Sequence, residues 1–151
     1  MSEPYNPHEF TALLCCDDPE LIAAATVQMT ALGFAIETAE TPEAALFTLH
    51  NQLCDIVVVS ESFGGADAFT NSVLSEINEF SQELRRSIFV VVISPNRKTL
   101  AEIDAFALSA DLILNPQDLP RLQGLVGQGL TRKEEFYRVY RAVEKQIQQE
   151  I

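Results

Sequence analysis

Several residue types are scarce in this chain, and each scarcity argues against a class of protein. The 151 residues include 10 basic and 22 acidic side chains, which gives a net charge of −12. Such a charge repels phosphate backbones and anionic lipids, so binding to nucleic acid or to a membrane surface is not expected. Uncharged apolar runs are too short to span a bilayer. The first residues also lack the basic and apolar regions of a signal peptide.

Cysteine and histidine are equally rare, and their spacing does not predict a metal site. Cys15, Cys16 and Cys54 lie in or beside predicted strands and show no Cys-x-x-Cys spacing. The two histidines, His8 and His50, have no ligand-like neighbours in the sequence. We therefore expect buried, reduced thiols in a cytoplasmic protein.

Apolar strands alternate with amphipathic helices along most of the chain. Strands are predicted over residues 11–16, 34–38, 55–60, 88–94 and 111–114. Helices are predicted over residues 19–32, 41–53, 72–84 and 99–109, followed by one that Asp118 caps. This alternation predicts a flavodoxin-like three-layer α/β/α sandwich with a five-stranded parallel sheet of order 2-1-3-4-5. The side chains predicted to face the core include Leu53, Leu84, Ile103 and Phe106.

Glycines and then an amphipathic pattern occupy the C-terminal tail. Gly124, Gly127 and Gly129 each cost a helix about 1 kcal/mol relative to alanine. Residues 131–134 match a capping box, which marks a helix start. The sequence therefore predicts a break among the glycines and a second helical segment after it. The expected division is a loose N-terminal arm over 1–10, one main domain over 11–130 and a C-terminal helical extension over 131–151.

One apolar stripe of this extension admits two interpretations. Phe136, Tyr140, Val143 and Ile147 recur at 4-3-4 spacing and so share one face of a helix. The stripe either packs back on the domain or forms a short interaction helix, which dimerises or links to another module. About two heptads are too few for a coiled coil that is stable alone.

Polar residues follow the predicted strands where those strands end. The first strand is followed by Asp17 and Asp18, the third ends in Ser60, the fourth ends in Ser94, and Asn115 follows the fifth. The carboxyl ends of these strands surround one crevice in a sheet of this order. Two adjacent carboxylates repel each other and favour a cation, and Mg²⁺ prefers oxygen ligands. Either weak Mg²⁺ binding or no cofactor is expected, since Asp18 is also suited to cap the following helix.

These residues resemble the receiver (CheY-like) domain of two-component response regulators, and the resemblance covers residues 11 to about 126. It implies that Asp17 and Asp18 match the acid pair that holds magnesium, and that Ser94 matches the switch hydroxyl. Ser60 stands at the position of the phosphoacceptor aspartate. Asn115 stands at the position of the lysine that grips the phosphoryl group.

Three further positions complete this resemblance. Asp67 matches the acidic residue after the phosphorylation loop, whereas Ala68 replaces the usual glycine and Leu112 replaces an aromatic switch residue. The resemblance is therefore to a degenerate pseudo-receiver. Glu61 is the acid nearest to Ser60, but strand alternation points it away from the side of Ser60.

This resemblance implies a phosphorelay signal-transduction domain without enzymatic activity. A serine without an adjacent base is a poor nucleophile, and the missing lysine removes a charge that stabilises phosphoryl transfer. We expect a phosphorylation-independent module that binds protein partners in bacterial signalling, with a homodimer as one option. The expected docking face comprises the helices on either side of the fifth strand. The helical tail and the missing output domain are consistent with a multidomain parent.

Two alternatives remain open. The first is a working receiver with an unconventional acceptor, Asp67 or Ser60. The second is a nucleotide- or small-ligand-binding protein of flavodoxin-like fold. The second alternative lacks a glycine-rich phosphate loop after the first strand, and Gly64 and Gly65 lie too late in the chain to supply it.

Overall fold

Apolar stretches of three to five residues form the strands of a computed structural model that describes residues 10–150. Seven side chains of the last helix lie outside the description: Phe136, Tyr137, Val139, Tyr140, Arg141, Glu144 and Glu150. The strands are β1 (Thr11–Cys15), β2 (Ala35–Ala39), β3 (Ile56–Ser60), β4 (Phe89–Ile93) and β5 (Leu112–Leu114). All neighbouring pairs are parallel, and the order is β2-β1-β3-β4-β5. The predicted sheet is thus confirmed.

Helices and 3₁₀ turns connect the strands. The helices are α1 (Pro19–Ala31), α2 (Pro42–Asn51), α3 (Ser72–Asn78), α4 (Gln82–Arg86), α5 (Glu102–Leu108) and α6 (Leu122–Glu150), and the turns are Phe63–Gly65 and Pro116–Arg121. The single helix predicted over 72–84 is wrong, because α3 ends at Asn78 and Ser81 caps a separate helix. The Ser81 hydroxyl accepts a hydrogen bond from the Leu84 N–H at 3.2 Å.

Helices cover both faces of the sheet, so alternate strand residues enter two separate cores. Residues of α2, α3 and α5 pack on one face, together with Leu13, Val57 and Val90. Residues of α1 and α6 pack on the other face, together with Leu14 and Val58. The three cysteines are buried free thiols, as predicted.

Several side chains that the helical pattern assigns to the core are exposed. Leu53, Ile103 and Phe106 are 66%, 83% and 87% exposed, and Leu84 is 36% exposed. Leu53 is exposed because α2 ends before it, whereas Ile103 and Phe106 are exposed because α5 turns Ala105 and Leu108 toward the core instead. Ile103 and Phe106 therefore form an apolar surface on α5.

The last helix is continuous, so the predicted break among its glycines is wrong. α6 has 29 residues, which corresponds to a length of about 43 Å. The predicted capping box lies inside this helix, where the Thr131 hydroxyl donates to the Gly127 carbonyl at 3.0 Å. Asp118 does not cap α6 either, because it lies in the preceding 3₁₀ turn. Within residues 10–150, no helix is long and apolar enough to cross a membrane.

Candidate functional site

The carboxyl edge of the sheet gathers the polar residues that the sequence singles out. Ser60 is aligned with Ile93, so Ser94 follows directly on the neighbouring strand. Cys15 at the end of β1 is aligned with Val59, which places the acid pair beside the loop that follows β3. The structure therefore assembles the predicted crevice from the ends of four strands.

The acid pair lies at this edge, and both carboxylates accept hydrogen bonds from backbone N–H groups. Asp17 Oδ2 accepts a hydrogen bond from the Gly64 N–H at 3.1 Å. Asp18 Oδ1 accepts one from the Glu20 N–H at 3.1 Å and caps α1, as predicted. Among the described residues, no group of three or more His, Cys, Asp or Glu side chains is placed to hold a metal. Each carboxylate uses one oxygen in these hydrogen bonds, so a cation bound between them would compete with the backbone N–H groups of Gly64 and Glu20.

Ser60 ends β3 next to a thiol that cannot act as a base. The backbone of Ser60 is hydrogen-bonded to Cys16. Burial raises the pKa of the Cys16 thiol to about 12, and this hydrogen bond offsets only part of the shift. Cys16 is therefore a neutral thiol at physiological pH. The thiol beside Ser60 cannot deprotonate the serine hydroxyl.

Asn71 fixes the backbone at the end of β3, and the sequence analysis missed it. This side chain is 1% exposed and caps α3 by accepting hydrogen bonds from the N–H groups of Val73 and Leu74 at 3.0 and 3.2 Å. Its amide nitrogen donates to the carbonyls of Ser60 and Glu61, both at 3.0 Å. An asparagine one residue before a helix start was the available signal.

The Asp67 carboxylate stabilises its own loop through hydrogen bonds. Its Oδ1 accepts hydrogen bonds from the N–H groups of Phe69 and Thr70 at 2.9 and 3.0 Å and from the Thr70 hydroxyl at 3.1 Å. The Phe69 N–H, followed by the Thr70 groups, holds the pKa of this carboxyl below its usual value. Attack on a phosphoryl donor by this carboxylate oxygen would require these hydrogen bonds to break.

A network of charged side chains lies over the end of β4. Arg97 binds Glu61 through two hydrogen bonds, Nε to Oε1 at 3.3 Å and Nη2 to Oε2 at 3.1 Å. Its Nη1 donates to Asp104 Oδ1 on α5 at 3.1 Å. Ser94 is fully buried, and its oxygen accepts a hydrogen bond from the Asn96 N–H at 3.2 Å.

This network keeps Glu61 ionised. Burial raises the pKa of Glu61, but hydrogen bonds from Arg97 and Ser94 outweigh it and hold the pKa below its ordinary value of 4.5. The pKa of Arg97 is raised, chiefly by its hydrogen bond with Glu61. A lowered carboxyl pKa stabilises the fold at neutral pH, and this stabilisation is lost as the pH falls through the lowered value.

Asn115 ties the loop after β4 to the end of β5. Its amide nitrogen donates to the carbonyls of Arg97 at 2.9 Å and Pro95 at 3.4 Å. Its side-chain oxygen accepts a hydrogen bond from the Gln117 N–H at 2.9 Å and caps the 3₁₀ turn. The backbone N–H of Asn115 donates to the Thr99 hydroxyl at 2.8 Å. Asn115 thus holds the loop in place with both ends of its side chain.

The predicted interaction helix projects beyond the domain. Val143 and Ile147 are 50% and 54% exposed, so the interpretation that packs them back on the domain is wrong for these two residues. Every described side chain from Glu134 to Gln149 is exposed. The side chains of Phe136 and Tyr140 lie outside the described residues.

Comparison with solved structures identifies proteins of the same fold at low sequence identity. A protein assigned as a response regulator from Chloroflexus aurantiacus J-10-fl shares 18% identity at a TM-score of 0.67, over 82% of this chain and 99% of that chain. The signal receiver domain of a protein assigned as a Luxo repressor from Vibrio parahaemolyticus shares 16% at 0.68, over 87% and 98%. The fold is that of a response-regulator receiver domain. HP1043, an orphan response regulator of H. pylori, shares 22% at 0.60, over 80% and 96%.

No protein-family model matches the sequence, and no curated protein matches it. The likeness to receiver domains is therefore a likeness of fold.

Proposed function

We propose that this chain is a signalling domain of the two-component type that acts through protein contacts and without phosphoryl transfer. The observation that carries the proposal is the side chain of Asn115. At the position where the resemblance expects a phosphoryl-gripping lysine, an uncharged amide is fully engaged with the loop after β4 and with its own turn. It supplies neither a positive charge nor a free donor to a phosphoryl group.

Ser60 and Asp67 support the same proposal. The thiol beside Ser60 stays protonated, so it cannot activate the serine. Asp67 is bound within its own loop by three hydrogen bonds. Ser60 thus has no adjacent base, and Oδ1 of Asp67 is engaged within its own loop, so neither alternative acceptor has an oxygen that its surroundings activate for attack on a phosphoryl donor.

Incubation with a small-molecule phosphoryl donor and Mg²⁺ should leave the mass of the protein unchanged. Intact-mass spectrometry measures this directly, and a conventional receiver domain treated in parallel controls for the donor. Addition of one phosphoryl group would contradict the proposal. Loss of that addition in Ser60→Ala or in Asp67→Asn would then identify the acceptor.

Amide NMR on the same sample separates metal binding from switching. We propose that Mg²⁺ binding is at most weak, so Mg²⁺ alone should shift only amides near Asp17 and Asp18, at millimolar concentration. Beryllofluoride, a phosphoryl mimic, should add nothing. Further shifts that reach Ser94 and α5 would show a working switch and would overturn the proposal.

The exposed surface of α5 is the proposed docking face for a protein partner. Ile103 and Phe106 are almost fully exposed, and Leu100 in the preceding loop is 48% exposed. Large apolar side chains grouped on one short helix are typical of interaction surfaces. α5 is one of the two helices that flank β5, in agreement with the face expected from the sequence.

The projecting part of α6 is the proposed self-association element. An isolated helix of its length is marginal in water, so a second copy that buries Val143 and Ile147 would stabilise it. At the same 4-3 spacing, Gly129 and Lys133 separate this stripe from Val126 and Leu122, which are buried in the domain, so the exposed stripe is a separate apolar surface.

Substitution of two residues of this stripe should weaken the dimer. The double substitution Val143→Glu with Ile147→Glu removes the exposed apolar side chains of the stripe. Because each buried side chain contributes about 1.5–3 kcal/mol, the dimer dissociation constant should rise by a factor of about ten or more. Light scattering across a concentration series measures this shift. Gln146→Glu with Gln148→Glu adds the same charge to exposed positions of the helix and should leave the dimer intact. A wild-type protein that remains monomeric throughout would contradict self-association.

A further inference from the structure

Arg97 connects the end of β3 to the first turn of α5. Its guanidinium contacts Glu61 on one side and Asp104 on the other, each at 3.1 Å. The side chains of Glu61 and Arg97 are only 13% and 22% exposed, so solvent screens their attraction less than it would at an open surface. A planar fork held by two acids fixes the direction as well as the distance of the contact.

The loop that Arg97 occupies needs such external contacts. Leu100 has a φ of +66°, a left-handed conformation that a branched residue adopts only at a cost. Ala101 precedes α5 without a side-chain cap, and α5 buries little of its own surface. The loop is therefore held by side chains from other elements, with Asn115 on one side and Glu61 on the other.

We propose that Glu61 is a positioning residue that holds residues 94–104 in one arrangement through Arg97. Its carboxylate is a fixed negative charge of the chain itself, so the loop is held without a bound phosphoryl group. The inference rests on the proposed function, because it explains how the docking face is set without phosphorylation.

The position of the docking face follows from this arrangement. Asp104 lies between Ile103 and Phe106 in the sequence of α5 and receives the second contact of Arg97. The Glu61–Arg97–Asp104 chain therefore connects the end of β3 to the helix that carries the exposed apolar side chains. Loss of the Glu61 charge should loosen that helix and leave the sheet intact.

Glu61→Gln tests the proposal because it keeps the shape and removes the charge. Hydrogen exchange measured by NMR at the amides of Asn96 and Leu100 should become roughly tenfold faster, whereas exchange in β1 and β3 should not change. These two amides donate to the Ser94 oxygen and to the Ile113 carbonyl, so they report the arrangement of the loop. Glu102→Gln, the same change at an exposed position of α5, should have no effect.

A double-mutant cycle with Arg97→Gln adds a second readout. If Glu61 acts through Arg97, the two substitutions together should accelerate exchange no more than Arg97→Gln does alone. Unchanged exchange in Glu61→Gln, or additive effects in the double variant, would overturn the proposal. Phosphoryl addition to the wild-type protein would overturn the proposed function instead, and the exchange rates would still decide whether Glu61 positions the loop.

Discussion

Replacement of Asn71 by alanine should lower the free energy of unfolding by about 3 kcal/mol. The side chain is buried and makes four hydrogen bonds, two accepted from the start of α3 and two donated to the carbonyls of Ser60 and Glu61. Alanine satisfies none of these groups, and a buried polar group left unpaired costs about 1–3 kcal/mol. For a domain of this size, the melting temperature should fall by about 10 °C.

Two further substitutions separate the capping role of Asn71 from its donating role. Asn71→Asp keeps the acceptor for α3 but directs a carboxylate oxygen at two carbonyls, so it should destabilise the protein at neutral pH at least as much as alanine does. Ser81→Ala removes a cap of α4 that accepts one hydrogen bond and should cost only about 1 kcal/mol. Calorimetry measures the stability of each variant. An Asn71→Asp protein as stable as wild type would show that the hydrogen bonds donated by Asn71 do not contribute to stability.

The sheet could be predicted because its signals are local and repeated. A continuous apolar stretch such as residues 56–59 is typical of a strand buried on both faces, and a proline at the first helical position marks the starts of α1 and α2. The helices were predicted less well, since their periodicity does not reveal where they end. Ile103 and Phe106 fit a buried stripe, yet α5 turns Ala105 and Leu108 inward and leaves Ile103 and Phe106 exposed.

The sequence predicts where the crevice lies, but it does not predict most of the side-chain contacts within it. Strand order alone brings Ser60, Ser94 and Asn115 to one edge. Glu61 and Arg97 lie 36 positions apart in the sequence, and Arg97 lies in a loop, so no periodic pattern in the sequence predicts their contact. Strand alternation predicts that Glu61 points away from the side of Ser60, but it does not identify Arg97 as the partner of Glu61.

The glycines of α6 show how a local rule can mislead. Gly129 predicts a weak point in a helix by propensity alone, yet the helix continues through it. A Cβ atom at this position would lie 2.5 Å from Cζ of the Phe89 ring, which is 4% exposed. Glycine is therefore needed here for the close approach of α6 to the sheet, and only the tertiary structure reveals that need.

Gly129→Val should accordingly destabilise the protein by about 3 kcal/mol, because overpacking against a buried ring forces the ring or the helix to move. Gly124→Val is the matched control, since no atom outside its own helix lies within 4 Å of a Cβ placed there. That variant should be as stable as wild type or slightly more stable, because valine is a better helix former than glycine. Unfolding in denaturant measures the free energy of unfolding of both variants.

Phe89→Leu in the Gly129→Val background identifies the cause of any loss. If the contact with the ring is responsible, the smaller side chain should recover part of the lost stability, and the two substitutions should not be additive. Equal losses from valine at 124 and at 129 would instead trace the effect to the helix itself. In that case the glycines would act on α6 through backbone propensity, and the close packing of α6 on Phe89 would not explain why glycine occupies position 129.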